Sequence, residues 1–208
     1  MSLNESKIPS RKNMNRQTIM HQNNLSGKKI AIFCPSLSDG GVQRVASLLS
    51  KIYFESGCDV YVITVYDKIK YSYSGTYFTL HFDNFSVLNL FKNIKSFLSL
   101  RNYMESNNFD LIIDLRARMR LIPELLIYLF AIPINKTIFT FHMPRINHYI
   151  PEPIFISRYL YNYAFANVAV SKTICQLLDV NKIRNTSVIY NPIDYDLILS
   201  KSMEKINF

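Results

Sequence analysis

The chain has 208 residues and is 49% hydrophobic, which is enough to build one well-packed core and too little for two full domains. Its formal net charge is +9, and more than half of that excess lies in residues 1–29, where six Lys or Arg residues accompany one Glu. No Phe, Tyr or Trp is interleaved with these charges, so the sequence indicates a solvated basic arm and argues against a nucleic-acid partner.

Residues 1–27 are rich in Asn, Ser and Lys and show no periodicity, so we predict that they form a disordered basic tail. They contain no apolar run of about 7 to 15 residues, and no signal peptide is therefore predicted. The longest apolar stretch, residues 121–134, is interrupted by Glu124 and two prolines and is shorter than the roughly 20 residues that a membrane span requires. We therefore expect a cytoplasmic protein.

The three cysteines are Cys34, Cys58 and Cys175. Their spacing does not match a metal-binding motif, and an odd number does not suggest a set of disulfides. The sequence predicts buried thiols in a reducing compartment and no metal site.

The first regular element is a buried strand over residues 30–34, rich in branched and aromatic side chains. An amphipathic helix follows it. The apolar positions that share one face of this helix are Val42, Val45, Ala46, Leu49, Ile52 and Tyr53.

Between the strand and the helix lie Gly40 and Gly41, two of the five glycines in the chain. Adjacent glycines let the backbone take positive φ and leave no Cβ between the helix N-terminus and a ligand. The unpaired N–H groups of the first helical turn suit a phosphate or a carboxylate. From the glycine pair alone, an anion site and a simple turn remain equally good interpretations.

The rest of the chain alternates between strand and helix patterns. Further strands are predicted at residues 60–65, 77–82, 110–115, 136–141, 167–170 and 187–190, and further helices at 87–98, 118–130, 154–166 and 171–178, the last capped by Ser171. This alternation predicts an α/β fold: a Rossmann-like, mostly parallel β-sheet with helices on both faces. The domain is predicted to span residues 28–195, and residues 196–208 to begin a linker or a C-terminal segment.

Ligands of such sheets bind beyond the carboxyl ends of the strands. That rule selects four polar or glycine-bearing segments: residues 35–44, 116–120, 142–145 and 171–172. Within the second segment, Arg116, Arg118 and Arg120 favour a solvated helix start, with a site for a phosphate or an acidic acceptor as the alternative. Glu124 is predicted to pair with a nearby arginine rather than to act as a general base.

Four short motifs, in their order along the chain, resemble the N-terminal half of family 4 glycosyltransferases, which have the two-domain GT-B architecture. They are the strand and glycine pair of residues 32–44, the strand end at His142, the run Val168–Ser171, and the run Val188–Asp194. The last run resembles the family's Asn-Gly-Ile/Val-Asp element, with Pro192 in place of glycine.

The resemblance implies roles for single residues. Gly40 and Gly41 match the glycine pair whose backbone approaches the donor diphosphate, and Arg44 matches the basic residue that closes that motif. His142 matches a histidine that contacts the donor sugar in retaining enzymes, and is the predicted catalytic residue. Ser171 and Asn191, at the ends of two later strands, are predicted to contribute to donor binding.

The implied function is hexosyl transfer, with retention, from a nucleotide-diphosphate sugar to a saccharide or lipid-linked acceptor in surface polysaccharide or glycolipid synthesis. No cofactor is implied beyond the donor substrate. The family's second Rossmann domain, which holds the nucleobase and ribose, has no counterpart in this sequence, so the chain alone is expected to be inactive and to need a C-terminal GT-B domain in cis or in trans. Peripheral contact with the inner face of a membrane is also expected. The alternative is a non-catalytic Rossmann-like binding module or a degenerate half-enzyme.

Overall fold

The computed structural model describes residues 25–81 and 90–203, and these form a single parallel sheet with flanking helices. The strands are β1 (Lys29–Cys34), β2 (Asp59–Thr64), β3 (Thr76–Thr79), β4 (Leu111–Asp114), β5 (Thr137–Phe141), β6 (Ala166–Ala169) and β7 (Thr186–Val188). The helices are α1 (Gly41–Glu55), α2 (Leu90–Asn107), α3 (Leu121–Phe130), α4 (Ile154–Asn162), α5 (Lys172–Val180) and α6 (Tyr195–Ser202).

The seven strands lie in the order β3-β2-β1-β4-β5-β6-β7, and every neighbouring pair is parallel. The order reverses at β1, because the chain first adds β2 and β3 on one side and then continues with β4 on the other. The predicted α/β, Rossmann-like fold with a mostly parallel sheet is confirmed. The reversal between β1 and β4 is the place where open sheets of this kind bind ligands.

The sheet is covered on both faces, as its inner strand β1 shows. Ile30, Ile32 and Cys34 of β1 pack in one cluster with Val45 and Ala46 of α1. The alternate positions of β1, Ala31 and Phe33, belong to the opposite cluster, to which α2, α3, α4 and α5 contribute Leu100, Met104, Tyr128, Leu160, Tyr161, Ile174 and Leu178. A strand that is buried on both faces explains why its sequence is continuously apolar.

Several predicted boundaries differ from those of the structure. The predicted helix over 118–130 begins only at Leu121. Helix α2 runs to Asn107, nine residues beyond its predicted end, and the start of its prediction, residues 87–89, lies outside the described residues. Helix α4 ends at Asn162 and not at 166, because the chain enters β6 at Ala166.

The first described residues contact the body of the domain. The Leu25 carbonyl accepts a hydrogen bond from the Cys58 thiol, and the Gly27 N–H donates to the Gly57 carbonyl at 2.8 Å. Residues 1–24 of the predicted tail lie outside the described residues. Of the three thiols, Cys34 and Cys58 are buried as predicted, whereas Cys175 on α5 is only half-buried.

Candidate active site

The carboxyl ends of all seven strands meet at one edge of the sheet, and the predicted site residues follow four of them. Gly40 and Gly41 follow β1, and His142, Ser171 and Asn191 follow β5, β6 and β7. Since neighbouring strands lie about 4.8 Å apart, the ends of β1 and β5, which have β4 between them, are separated by about 10 Å. One substrate of sugar-nucleotide size is long enough to reach both.

The glycine pair adopts two different conformations. Gly40 is the N-cap of α1, with φ 132° and ψ 161°, and a Cβ atom there would clash with the side-chain amide of Gln43. Gly41 is the first helical residue and has no positive φ, and a Cβ atom built on it meets nothing within 4 Å. The prediction that positive φ is required across the pair is therefore wrong for Gly41, because that residue already has helical geometry.

The N-terminus of α1 is suited to an anion. Its N-cap has no side chain, so no side-chain hydrogen bond caps the first turn, and that turn contains no acidic residue. The unpaired N–H groups and the positive end of the helix dipole therefore face the space beyond Gly41. Arg44 lies half-buried on the same turn and adds positive charge.

The loop that carries the glycines is held by hydrogen bonds to the segment that follows β2 in the same polypeptide. Leu37 is fully buried; its N–H donates to the Lys68 carbonyl at 2.9 Å, and its own carbonyl accepts from the Lys70 N–H at 2.8 Å. The Ser36 and Ser38 hydroxyls share a hydrogen bond of 3.0 Å. These contacts fix the segment between β1 and the helix N-terminus, so the first-turn amides are held in place before a ligand arrives.

A buried ionic network lies at the end of β4. Arg116 donates through Nε to Oδ1 of Asp114 at 3.1 Å and through one terminal nitrogen to Oδ2 of Asp114 at 2.9 Å and to Glu124 at 3.0 Å. Its guanidinium also stacks 4.0 Å from the centroid of the Phe33 ring. Burial opposes ionisation of Asp114, but Arg116 and Arg118 outweigh it and hold the pKa of that carboxyl below its usual value. Burial raises the pKa of Glu124.

Arg118 is completely buried beside this network. It donates to the Tyr161 hydroxyl at 3.1 Å, to the Arg116 carbonyl at 2.7 Å and to the Thr140 carbonyl at 3.1 Å. Its guanidinium lies within 5.5 Å of the centroids of four rings, those of Phe139, Phe141, Tyr149 and Tyr161. It therefore ties the end of β4 to β5 and α4.

Both interpretations offered for the arginine cluster are wrong for Arg116 and Arg118, which are neither solvated nor open to an acceptor. Residues 116–120 precede α3, and burial alternates along the first four of them: Arg116 and Arg118 are buried, whereas Ala117 and Met119 are exposed. A spacing of two directs alternate side chains of an extended segment to one side. The predicted pairing of Glu124 with an arginine is confirmed.

His142 is the first residue after β5, as predicted from the sequence. Its Nε2 atom lies 2.9 Å from the Thr140 hydroxyl, and its ring is half-buried. Burial, assisted by the positive charge of Arg118, lowers the pKa of His142 from 6.5 to about 4. The imidazole is therefore neutral at pH 7.

The low pKa of His142 predicts an acid-dependent loss of stability. The unfolded chain binds the proton near pH 6.5 and the folded chain only near pH 4, so the stability is complete above pH 6.5 and is lost as the pH falls toward 4. At about pH 4.5 the loss should be roughly 2 to 3 kcal/mol, from 1.36 kcal/mol per pKa unit. Urea unfolding of the wild type and of His142→Asn at pH 7 and at pH 4.5 measures this loss of unfolding free energy. An equal loss in the two proteins would contradict the prediction.

Ser171 and Asn191 complete the edge on the side away from the glycine pair. Ser171 is the N-cap of α5, as predicted, and its hydroxyl accepts from the Ile174 N–H at 3.3 Å. The Val170 N–H donates to the Phe141 carbonyl at 3.2 Å, so Val170 lies beside His142. Ser171 is the next residue along the chain. Asn191 is exposed, beyond the end of β7.

Sequence reasoning missed Asp114 and Thr140 as parts of this edge, and it placed Arg118 there without predicting its burial. The signal for Thr140 was its spacing of two from His142, which places both on the same side of β5.

Within residues 25–81 and 90–203, no group of three or more His, Cys, Asp or Glu side chains is arranged to hold a metal ion. No helix in the same described ranges is long and apolar enough to cross a membrane.

Comparison with known proteins identifies the family. The family model of Glycosyltransferase Family 4 matches residues 39–197, which include the glycine pair, His142 and the edge beyond β7. No curated protein matches the sequence. Among 23 matching chains of known structure, the lipopolysaccharide outer core galactosyltransferase WaaB in its apo form is 17% identical, with a TM-score of 0.52. The alignment covers 80% of the present chain and 46% of WaaB, so this chain spans about half the length of that enzyme.

A second similarity is weaker. A short-chain dehydrogenase from Leptospira borgpetersenii serovar Hardjo-bovis (strain JB197), with bound NAD⁺, is 14% identical and covers 96% of this chain and 82% of its own length. Its TM-score of 0.38 is too low for any argument about this protein. The family match extends over more than half of the sequence, and the parallel sheet is that of one half of a GT-B enzyme. The chain belongs to glycosyltransferase family 4.

Proposed function

We propose that this chain is the acceptor-side half of a glycosyltransferase that moves a hexosyl group, with retention, from a nucleotide-diphosphate sugar to a saccharide or lipid-linked acceptor. The pathway would be surface polysaccharide or glycolipid synthesis. The observation that carries the proposal is the family match, which begins at the loop bearing the uncapped helix N-terminus. The name of WaaB, a lipopolysaccharide galactosyltransferase, supports the hexosyl donor and the polysaccharide or glycolipid setting.

Different residues along the carboxyl edge of the sheet would bind different parts of the donor. The first-turn N–H groups beyond Gly40 and Gly41 would bind the donor diphosphate, and Arg44 would contribute charge from the same turn. His142, neutral and at the end of β5, which lies about 10 Å from the end of β1 by strand spacing, would contact the donor sugar. Ser171 and Asn191 would line the neighbouring part of the donor site.

A second domain is part of the proposal, because the chain spans 46% of WaaB. We propose that a C-terminal GT-B domain, in cis or in trans, holds the nucleobase and ribose. The diphosphate contacts of this half would then supply only a fraction of the binding free energy of the donor. Because that fraction must first offset the cost of association, this chain alone would bind the donor weakly.

The experiment compares sugar transfer by the purified chain with transfer after a C-terminal domain of the family is added or fused. We expect no turnover from the chain alone and turnover from the pair. Turnover by the chain alone would overturn the need for a second domain. A pair that binds a nucleotide sugar but transfers nothing would favour a non-catalytic Rossmann-like binding module.

We further propose peripheral contact with the inner face of a membrane, where lipid-linked acceptors reside. Helix α3 exposes an apolar face formed by Ile122, Leu126, Leu129 and Phe130, with exposed fractions of 47 to 71%. The net charge of +9 would add attraction to anionic lipids of about 1 kcal/mol for each Lys or Arg near the surface. Co-sedimentation with anionic vesicles should be strong at low salt and weak at high salt, and its absence at low salt would refute the contact.

A further inference from the structure

Thr140 and His142 are joined by a hydrogen bond whose direction the surroundings determine. The two residues are two positions apart at the end of β5, and Nε2 of His142 lies 2.9 Å from Oγ1 of Thr140. Each atom is able to donate or to accept, so this distance alone does not say which carries the hydrogen.

The second bond of the Thr140 hydroxyl resolves the direction. Its Oγ1 lies 2.9 Å from the main-chain carbonyl oxygen of Asp114, which is only an acceptor. A threonine hydroxyl has one hydrogen, and that hydrogen is used in the bond to Asp114. Toward His142 the oxygen therefore acts as an acceptor, and the hydrogen of the Thr140–His142 bond must be on Nε2.

Thr140 itself is held from two sides, so this arrangement is rigid. Its residue is 5% exposed, and its carbonyl oxygen accepts from Arg118 at 3.1 Å. Arg118 is in turn fixed by the Tyr161 hydroxyl and the Arg116 carbonyl. The same cation disfavours a second proton on the imidazole, which agrees with the lowered pKa of His142.

We propose that Thr140 is a positioning residue that holds His142 in the Nε2-protonated tautomer, so that Nδ1 serves as a hydrogen-bond acceptor for a hydroxyl group of the donor sugar. In the part of the chain that the structure describes, no protein group donates a hydrogen bond to Nδ1. His142 then orients a hydroxyl by accepting from it and does not act as a proton donor. The tautomer assignment does not depend on the proposed function. Only the statement that the bound hydroxyl belongs to a donor sugar rests on it.

The tautomer is measured directly on the 208-residue chain, without any donor. Long-range ¹H–¹⁵N correlation spectra of protein labelled with ¹⁵N-histidine distinguish a protonated ring nitrogen from one that carries a lone pair. The variants are Thr140→Val, which keeps the shape and removes the hydroxyl, and Thr140→Ser, which restores the hydroxyl. Thermal midpoints of all three proteins are recorded beside the spectra.

In the wild type at pH 7 we expect His142 to carry its hydrogen on Nε2. Thr140→Val should shift the ratio of the two tautomers toward the Nδ1-protonated form by about tenfold, the effect of losing one hydrogen bond. Thr140→Ser should restore the wild-type ratio. A wild-type spectrum with the hydrogen on Nδ1 would overturn the proposal even if no variant folds, and so would a Thr140→Val spectrum identical to that of the wild type.

The sugar hydroxyl is tested separately by transfer kinetics of the enzyme with its second domain present. Thr140→Val should lower kcat in proportion to the Nε2-protonated fraction that the spectra measure, by at most about tenfold, with a smaller change in the donor KM, and Thr140→Ser should recover it. A kcat that does not follow the measured fraction would overturn the acceptor role of Nδ1. Because the spectra need neither donor nor second domain, a failure of the proposed function and a failure of the tautomer assignment are distinguishable.

Discussion

Gly41→Val should abolish donor use while leaving the fold intact. The residue is the first of α1, its φ is not in the left-handed region, and a Cβ atom built on it meets no atom within 4 Å. The added side chain would instead occupy the space beyond the first-turn amides, where a phosphate oxygen would bind. We expect kcat/KM of the two-domain enzyme to fall about 100-fold or more, the scale of losing preorganised backbone donors.

Glu55→Val is the matched control, since it places the same side chain at an exposed position at the other end of the same helix. Both variants should unfold within about 1 kcal/mol of the wild type, as is usual for exposed substitutions. Only Gly41→Val should lose activity. If Gly41→Val keeps wild-type kinetics, the glycine pair is merely a turn and no diphosphate binds there.

Asp114→Ala should be among the most destabilising single substitutions in the chain. Asp114 is fully buried and its carboxylate pairs with Arg116 at 2.9 Å and lies 3.8 Å from Arg118. Removing it leaves two buried guanidinium groups with Glu124 as their remaining acidic partner in this network. Breaking a buried ion pair in this way costs about 3 to 5 kcal/mol, because the desolvation of the remaining charge is no longer compensated.

Asp110 offers the comparison, since it lies four residues earlier, directly before β4. Its side chain is 43% exposed, pairs with Lys28 at 3.2 Å and accepts a hydrogen bond from the Lys29 N–H at 2.9 Å. Asp110→Ala should cost only about 1 to 2 kcal/mol, the scale of one exposed ion pair and one exposed hydrogen bond. Urea unfolding of both variants at pH 7 tests the difference, and equal losses of unfolding free energy would contradict the larger contribution assigned to the buried carboxylate.

Much of the fold was predictable from local pattern. The apolar run of β1 and the 3.6-residue stripe of α1 are determined by burial on two faces and on one face. Both appear as predicted except at Ile52, which is 44% exposed although it was predicted to lie on the buried face of α1. Right-handed crossovers and parallel pairing then fix which strand ends share an edge. That is why the sequence alone predicts that residues as distant as Gly40 and His142 lie at one site.

The arginines after β4 show what local pattern does not contain. Nothing between residues 115 and 120 indicates that Phe33, Tyr128 and Tyr161 will surround the guanidinium groups, because these partners come from β1, α3 and α4. Charged residues are almost never fully buried unless they are paired, so a solvated interpretation was the natural one. The spacing of two was the only local sign of an extended, half-buried segment.

The glycine pair shows a different limit. Composition identified a turn with room for a ligand, but it did not indicate that Gly40 alone takes positive φ whereas Gly41 starts the helix. That division depends on where the first helical hydrogen bond forms, which is between the Arg44 N–H and the Gly40 carbonyl at 3.1 Å. As a result, Gly41 is the better position for testing ligand binding, because its substitution does not strain the backbone.

The central claim is that the N-terminus of α1 binds the diphosphate of a sugar nucleotide. The most direct measurement is a titration of the ¹⁵N-labelled 208-residue chain with inorganic diphosphate, followed through the backbone amide resonances. We expect saturable shifts of the Gly41, Val42 and Gln43 amides, weakened in Arg44→Ala and absent in Gly41→Val. Shifts confined to the basic residues 1–24, with the α1 amides unchanged, would contradict the claim.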